Sequence, residues 1–219
     1  MKINNYVNNI KLVKLKRTKL VLGFLSVFLL LGLFISPSAA KTDWKISPSN
    51  PTVGDTLKIK GTASPGEDLI AQVSFEKELP VTEGRYHYLL EKIKIPRGED
   101  NLLTLKGEGV ENLNVSVTKL FFTKKLSSDA PRGIATVSRR NVPPLTYKVL
   151  IDGDALSTPS KDSSVKLTVT ASQTLKTSSK GKFNFNYHTS SMPAGKYTIY
   201  IGDSKKTIEL KPGKNKWHF

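Results

Sequence analysis

The 219-residue chain has no cysteine. That excludes disulfide staples, thiolate nucleophiles, zinc ribbons and a lipid-modified cysteine behind an export segment. The fold must therefore rest on its apolar core alone. Histidine is nearly as scarce, at three residues. His87 and His188 fall at non-equivalent places in an internal repeat, and neither has a partner at the helical spacing that zinc enzymes use. Helical periodicity is missing as well. Beyond the first forty residues no window offers an amphipathic helix, which leaves strands as the material of the fold.

Acidic residues are unevenly absent. From Lys41 to Lys124, 12 Lys and Arg face 12 Asp and Glu, whereas Lys125 to Phe219 holds 16 against 6, so the folded excess of +10 sits in the second half. The first nineteen residues carry six positive side chains and no acidic one. They precede an apolar run from Leu20 to Ile35, a Ser36-Pro37 break and the small residues Ser38-Ala39-Ala40. This order of parts is that of an export signal, with cleavage expected after Ala40. If it stays uncleaved, the run acts as a membrane anchor and still delivers the remainder outside the cell.

After Ala40 the pattern alternates with period two. Leu57 and Ile59, Leu113 to Val117, Val165 to Ala171 and Phe183 to Tyr187 each alternate with polar residues, as half-buried antiparallel strands do. One phrase recurs. Gly84-Arg-Tyr86-His-Tyr88 leads to Pro96-Arg-Gly98 just as Gly181-Lys-Phe183-Asn-Phe185 leads to Pro193-Ala-Gly195, at an offset of 97 residues. A looser copy runs from Gly133 through Pro143 to Tyr147-Lys-Val149-Leu-Ile151, echoing Tyr197-Thr-Ile199-Tyr-Ile201. The repeat predicts an all-β protein of two tandem antiparallel sandwich modules, each near the size of an immunoglobulin-like domain. The expected layout is a signal or anchor over 1–40, modules over 41–126 and 127–211, and a basic tail over 212–219. The break is placed near Ser127, where the alternation lapses into polar residues; 133–154 either opens the second module or bridges the two.

Phrases such as Val53-Gly-Asp-Thr-Leu57-Lys-Ile59-Lys-Gly61 and Met192-Pro-Ala-Gly-Lys-Tyr197 resemble secreted bacterial and archaeal Ig-like repeat domains. They are also similar to prealbumin-like carboxypeptidase regulatory repeats, and the whole layout resembles exported proteins of archaeal cell envelopes. The resemblance implies a β-sandwich with a structural, adhesive or spacer role, and it brings no catalytic residues or cofactor.

The chemistry in the residues themselves points the same way. Ser163-Ser-Val-Lys166 has the spacing of a serine-lysine dyad, but on a strand residues three apart point to opposite faces. Asp152, Asp154 and Asp203 follow equivalent strands and suit polar turns better than a calcium site in a basic module. The reading is non-enzymatic, with no metal and no cofactor; an enzyme would require Asp152, Asp154 and a histidine to converge on one cleft. Asn114-Val115-Ser116 is a glycosylation sequon with its asparagine on the polar phase of a strand.

Lys148, Lys166, Lys180, Lys182, Lys196, Lys205 and Lys206 lie on outward phases or in turns. They form a candidate surface for acidic glycans or other anionic envelope partners. Outward lysines also keep sheet edges from pairing, so the same residues have a purely protective reading. Nucleic acid is disfavoured by export and by the lack of an aromatic stacking stripe. The expected function is an exported envelope protein with a structural or adhesive role. The alternative is a recognition or inhibitor module presenting a neutral pocket with aromatics such as Tyr86, Tyr88, Tyr187 or Tyr200 to a soluble protein or glycan.

Overall fold

The computed structural model describes residues 41–95, 98–156 and 164–213. The export segment with its cleavage point after Ala40, the Pro96-Arg97 turn, Ser163 and the last six residues lie outside this range. Among the described residues no helix is long and apolar enough to cross a membrane.

The first half of the chain forms β1 (Asp43–Ser47), β2 (Thr56–Thr62), β3 (Asp68–Pro80), β4 (Arg85–Lys94), β5 (Glu99–Glu108) and β6 (Asn112–Lys119). Then come β7 (Phe122–Asp129), β8 (Ile134–Arg140), β9 (Thr146–Asp154) and β10 (Ser164–Lys176). The chain continues through β11 (Lys182–His188), a 3-10 turn at Thr189–Ser191, β12 (Gly195–Ile201) and β13 (Ser204–Leu210). They build three antiparallel sheets: β1-β2-β11, β13-β12-β3-β10-β5-β8 and β4-β9-β6-β7. The all-β expectation is met.

Alternation decides which face of each strand is dry. In the six-stranded sheet Leu69, Phe75 and Leu79 of β3 and Val165 and Leu167 of β10 are buried, while Glu76, Glu78 and Ser164 on the alternate phase are exposed. Both smaller sheets pack on that one apolar face, giving two cores. One gathers Tyr86, Leu113, Val115, Ile151, Leu105 and Leu167; the other gathers Trp44, Leu57, Phe183, Tyr197, Ile199 and Leu210.

The cores do not follow chain order. The second takes its buried residues from 44–75 and 183–210, and the first takes its own from 79–167. The thirteen-residue strands β3 and β10, paired from Asp68↔Lys176 to Pro80↔Ser164, run through both. One sandwich is thus nested within the other, and the division at Ser127 is redrawn. Ser127 lies inside β7, paired with Asn114. The polar lapse there reflects an edge strand whose residues are mostly exposed, not a linker. Residues 134–154, as β8 and β9, belong to the inserted sandwich. Asp43–Ser47 is a strand whose Trp44 is buried in the core.

The repeated phrase has a structural counterpart. Each copy carries a strand of one sheet across to a strand of another: β4 to β5, β8 to β9, and β11 to β12. The glycines that open the copies share one left-handed conformation, with φ of 73° at Gly84, 72° at Gly133 and 69° at Gly181. After two of the crossovers a tyrosine locks the turn by donating to the proline carbonyl four residues back. The distance is 3.0 Å from Tyr147 to Pro143 and 2.7 Å from Tyr197 to Pro193.

Candidate functional site: an apolar cleft between the two smaller sheets

Because the two smaller sheets sit side by side on one face of the large sheet, the strip of that face between them is not fully covered. Ala171, on the apolar phase at the middle of β10, is exposed, and Val73, Val169 and Leu103 around it are only half-buried. The result is a cleft of about 170 Å³. Its floor is Ala71, Val73, Val169 and Ala171; one wall is Ile59, Phe185 and Tyr187 with Met192, and the other is Leu90, Ile93 and Val149. Small residues on the floor make room. The long strands β3 and β10 fix it rigidly from beneath.

A few polar residues enter the mostly apolar lining, among them Asn101, Ser172, Gln173 and Ser191. Gln173 continues the Val165, Leu167, Val169, Ala171 phase and points inward, where it is 9% exposed. Its Oε1 is buried and has no hydrogen-bond partner among the described residues. An unmatched buried acceptor costs free energy, about 1–3 kcal/mol, and in a native structure calls for a reason. Two local features hold it there. A bulge places Asp100 and Asn101 of β5 opposite Gln173 alone, and a Cβ on Gly98 would come within 2.4 Å of Oε1. Asn101 then fixes the rim, donating to the Val142 carbonyl at 2.9 Å and accepting from the Val142 amide at 2.7 Å. Across the cleft the Tyr187 hydroxyl donates to the Lys94 carbonyl at 3.3 Å. Burial pushes the Tyr187 phenol up, and Tyr197 beside it is raised further, first by burial and then by the neighbouring Tyr88 and Tyr187. The tyrosines near the cleft are therefore neutral.

The residues expected to matter are distributed differently. Of the four tyrosines named for a pocket, Tyr187 lines the cleft and Tyr88 packs against both cores. Tyr86 is fully buried, donating to the Asn112 carbonyl at 2.8 Å, and Tyr200 lies beneath Lys205, whose Nζ is 5.6 Å from its ring centre.

The seven lysines do not converge. Lys148 is on the four-stranded sheet; Lys166 pairs with Glu76 at 3.2 Å on the six-stranded one, which raises its pKa through that hydrogen bond. Lys196 stands opposite Glu209, and Lys206 folds back on the Trp44 carbonyl and ring. Lys180 lies in the turn before β11, and Lys182 is on β11. Lys182 joins other cations in a cluster. It shares the exposed phase of the three-stranded sheet with Lys45, Lys58 and Lys60, and Lys45 is directly cross-strand from Lys60.

His87 and Asp152 are register partners, as are Arg85 and Asp154, on the outer phase of the four-stranded sheet. They share that phase without forming a cleft, and Arg85 ion-pairs with Asp154 at 3.3 Å and Asp152 at 4.0 Å. Among the described residues no group of three or more histidine and acidic side chains is placed to hold a metal ion. Asn114 is half-buried on the same sheet. Its Oδ1 accepts from Ser127 at 2.8 Å and its Nδ2 donates to Asn112 at 3.3 Å.

No family model matches this chain, and no curated protein matches it in sequence.

Proposed function

We propose that this is a non-enzymatic recognition protein of the cell exterior, built of Ig-like sandwiches, that takes a small apolar group bearing a hydrogen-bond donor into the cleft between its two smaller sheets. The observation that carries this reading is the Gln173 acceptor, unpartnered among the described residues, in a mostly apolar cleft. An apolar group there is driven by burial of surface, and a donor aimed at Oε1 removes the cost of the unmatched carbonyl. The placement outside the cell rests on the basic, apolar and small-residue order of residues 2–40.

N-phenyl-1-naphthylamine, neutral, apolar and carrying one N–H, is a direct probe. Titrated into the full chain it is expected to gain fluorescence saturably; Ala171→Phe, which fills the floor, abolishes the gain, and Gln173→Leu weakens it roughly tenfold. An enhancement indifferent to Ala171→Phe would place the dye elsewhere and end the proposal.

A second reading is favoured by one observation, the basic outer face of the three-stranded sheet. Lys45, Lys58, Lys60 and Lys182 are accompanied on its strands by a single acidic side chain, Asp43. Such a face suits an anionic surface polymer. It draws three of its four lysines from the charge-balanced first half of the chain, so docking is not confined to the basic second half.

A further inference from the structure

The hairpin joining β6 to β7 ends in Leu120-Phe121, a two-residue connection between the register partners Lys119 and Phe122. Leu120, Phe121 and Phe122 are 79%, 95% and 80% exposed. No other consecutive run of large apolar side chains among the described residues stands so far in water. The fold does not ask for them. A two-residue hairpin turn is served by Asn-Gly or Gly-X, because a positive φ is needed at the tip. Here a bulky leucine takes it, with φ of 53°. A residue of this size in the left-handed region is strained, and strain of this kind is tolerated where something else requires the side chain.

Charge says what that something is. Lys119, Lys124 and Lys125 flank the tip, and Lys148 stands opposite Thr118 one strand over. No acidic residue occurs between Glu111 and Asp129. An apolar point within a collar of lysines, at the free end of an edge hairpin, matches the layering of a lipid surface, where anionic head groups lie above an apolar interior. Arriving lysine stems can follow the surface while their ammonium groups stay with the phosphates.

We propose that the Leu120–Phe122 tip inserts into the interfacial layer of a membrane containing anionic lipid, with Lys119, Lys124 and Lys125 contacting its head groups. This is independent of the apolar cleft. It also differs from anchoring by residues 20–35, because it is a reversible contact made by the folded part of the chain.

The absence of cysteine makes the test specific to the tip. Phe121→Cys in the full chain gives a single attachment point for an environment-sensitive nitrobenzoxadiazole label, and Thr136→Cys, exposed on the outer face of the six-stranded sheet, gives a control. With phosphatidylcholine vesicles containing about a third phosphatidylglycerol, the tip label should shift to the blue, gain several-fold in emission and become quenchable from the acyl region, while the control stays aqueous. Replacing Lys119, Lys124 and Lys125 by Gln should raise the lipid concentration for half-maximal tip signal roughly a hundred-fold. Added salt should do the same to the unsubstituted tip. If residues 20–35 alone hold the chain on the vesicles, the protein sediments with them while the tip label stays in water, and the proposal is overturned. It is equally overturned if the label shifts with protein concentration in the absence of lipid, which would mark the tip as a contact between copies, or responds identically on pure phosphatidylcholine.

Discussion

The Tyr187 hydroxyl, on β11 of the three-stranded sheet, donates across the cleft to the carbonyl of Lys94 at the end of β4 in the four-stranded sheet, 3.3 Å away. The bond is long, so its direct worth is small, about 0.5 kcal/mol. Its position matters more than its strength, since it spans the two sheets whose separation defines the cleft. Tyr187→Phe is therefore expected to leave the urea midpoint almost unchanged while weakening dye uptake by the cleft two- to threefold. Tyr187→Ala removes a wall and should cost about 2 kcal/mol. Equal loss of stability in both variants would show that the hydrogen bond, and not the ring, holds the two sheets together.

The three repeat glycines offer a graded comparison, because their backbones match and their surroundings do not. All have φ near 70°. An added Cβ meets nothing within 4 Å at Gly84, Leu156 Cδ2 at 3.4 Å at Gly133, and the Ala63 carbonyl oxygen at 2.2 Å at Gly181. Gly84→Ala should then cost only the conformational term, about 1–2 kcal/mol. Gly133→Ala should cost little more, as a leucine tip can move. Gly181→Ala must displace backbone at the end of the paired strands β2 and β11, where the Ala63 amide donates to the Gly181 carbonyl at 2.9 Å. That variant should be the least stable of the three by a clear margin in urea. An inverted order would mean that the shared φ, and not crowding, sets the cost.

Much of this architecture is legible in the residues, and the rest fails for identifiable reasons. Alternation at Leu57-Ile59, Val165–Ala171 and Phe183–Tyr187 identifies strands and their dry faces, because a pleated strand exposes every second side chain. It does not identify partners. The pairing of β3 with β10 joins residues up to 108 apart, from Asp68 to Lys176, and nothing local encodes that choice. Similar phrases 97 residues apart look like similar tandem domains, whereas in the structure each phrase spans a crossover between sheets, used three times. β7 is not legible in the sequence, since an edge strand with little to bury shows no apolar phase. Gln173 is legible in the pattern. It is the one polar residue on the inward phase of β10, and extending the alternation two residues past Ala171 exposes it. The Leu120–Phe122 tip carried no turn signal at all, because its residues contradict the composition that a hairpin turn normally has.

Five tyrosines bear on stability at high pH. Burial raises Tyr86, Tyr88, Tyr147, Tyr187 and Tyr197 above the ordinary phenol range, with Asp152 and Asp154 adding to the shift at Tyr86. A raised folded value means that the native state keeps these protons where the unfolded chain, with phenols near 10, has begun to lose them. The unfolded state then binds fewer protons, so stability falls as pH rises. The contribution is intact below about pH 10 and is lost progressively above it. Urea midpoints should accordingly be insensitive to these groups up to about pH 9 and drop steeply beyond pH 10. Phenolate absorbance should appear together with unfolding. Gradual ionisation of all seven tyrosines in a still-folded protein would contradict the argument.

Lys45 and Lys60 face each other across β1 and β2, a like-charged pair directly opposite in register on an exposed sheet face. Such a pair is destabilising by roughly 0.2–1 kcal/mol compared with a neutral one. Stability alone therefore does not account for it, which gives the basic-face reading a test that a protective role for lysine would not pass. Lys60→Glu should raise the urea midpoint slightly, by turning repulsion into attraction, and should at the same time weaken binding of the full chain to a soluble acidic polysaccharide. The wild-type binding should fall steeply between low and physiological salt, since exposed charges are screened over about 8 Å at 0.15 M. The variant should show a shallower salt dependence, having lost contact charges. If Lys60→Glu stabilises the fold and leaves polysaccharide binding untouched, the lysines serve only to keep the sheet face from associating, and the anionic partner must be sought elsewhere or abandoned. A joint gain in stability and loss of binding is the outcome the geometry favours, because the two effects arise from the same crowding of positive charge at Lys45, Lys58, Lys60 and Lys182.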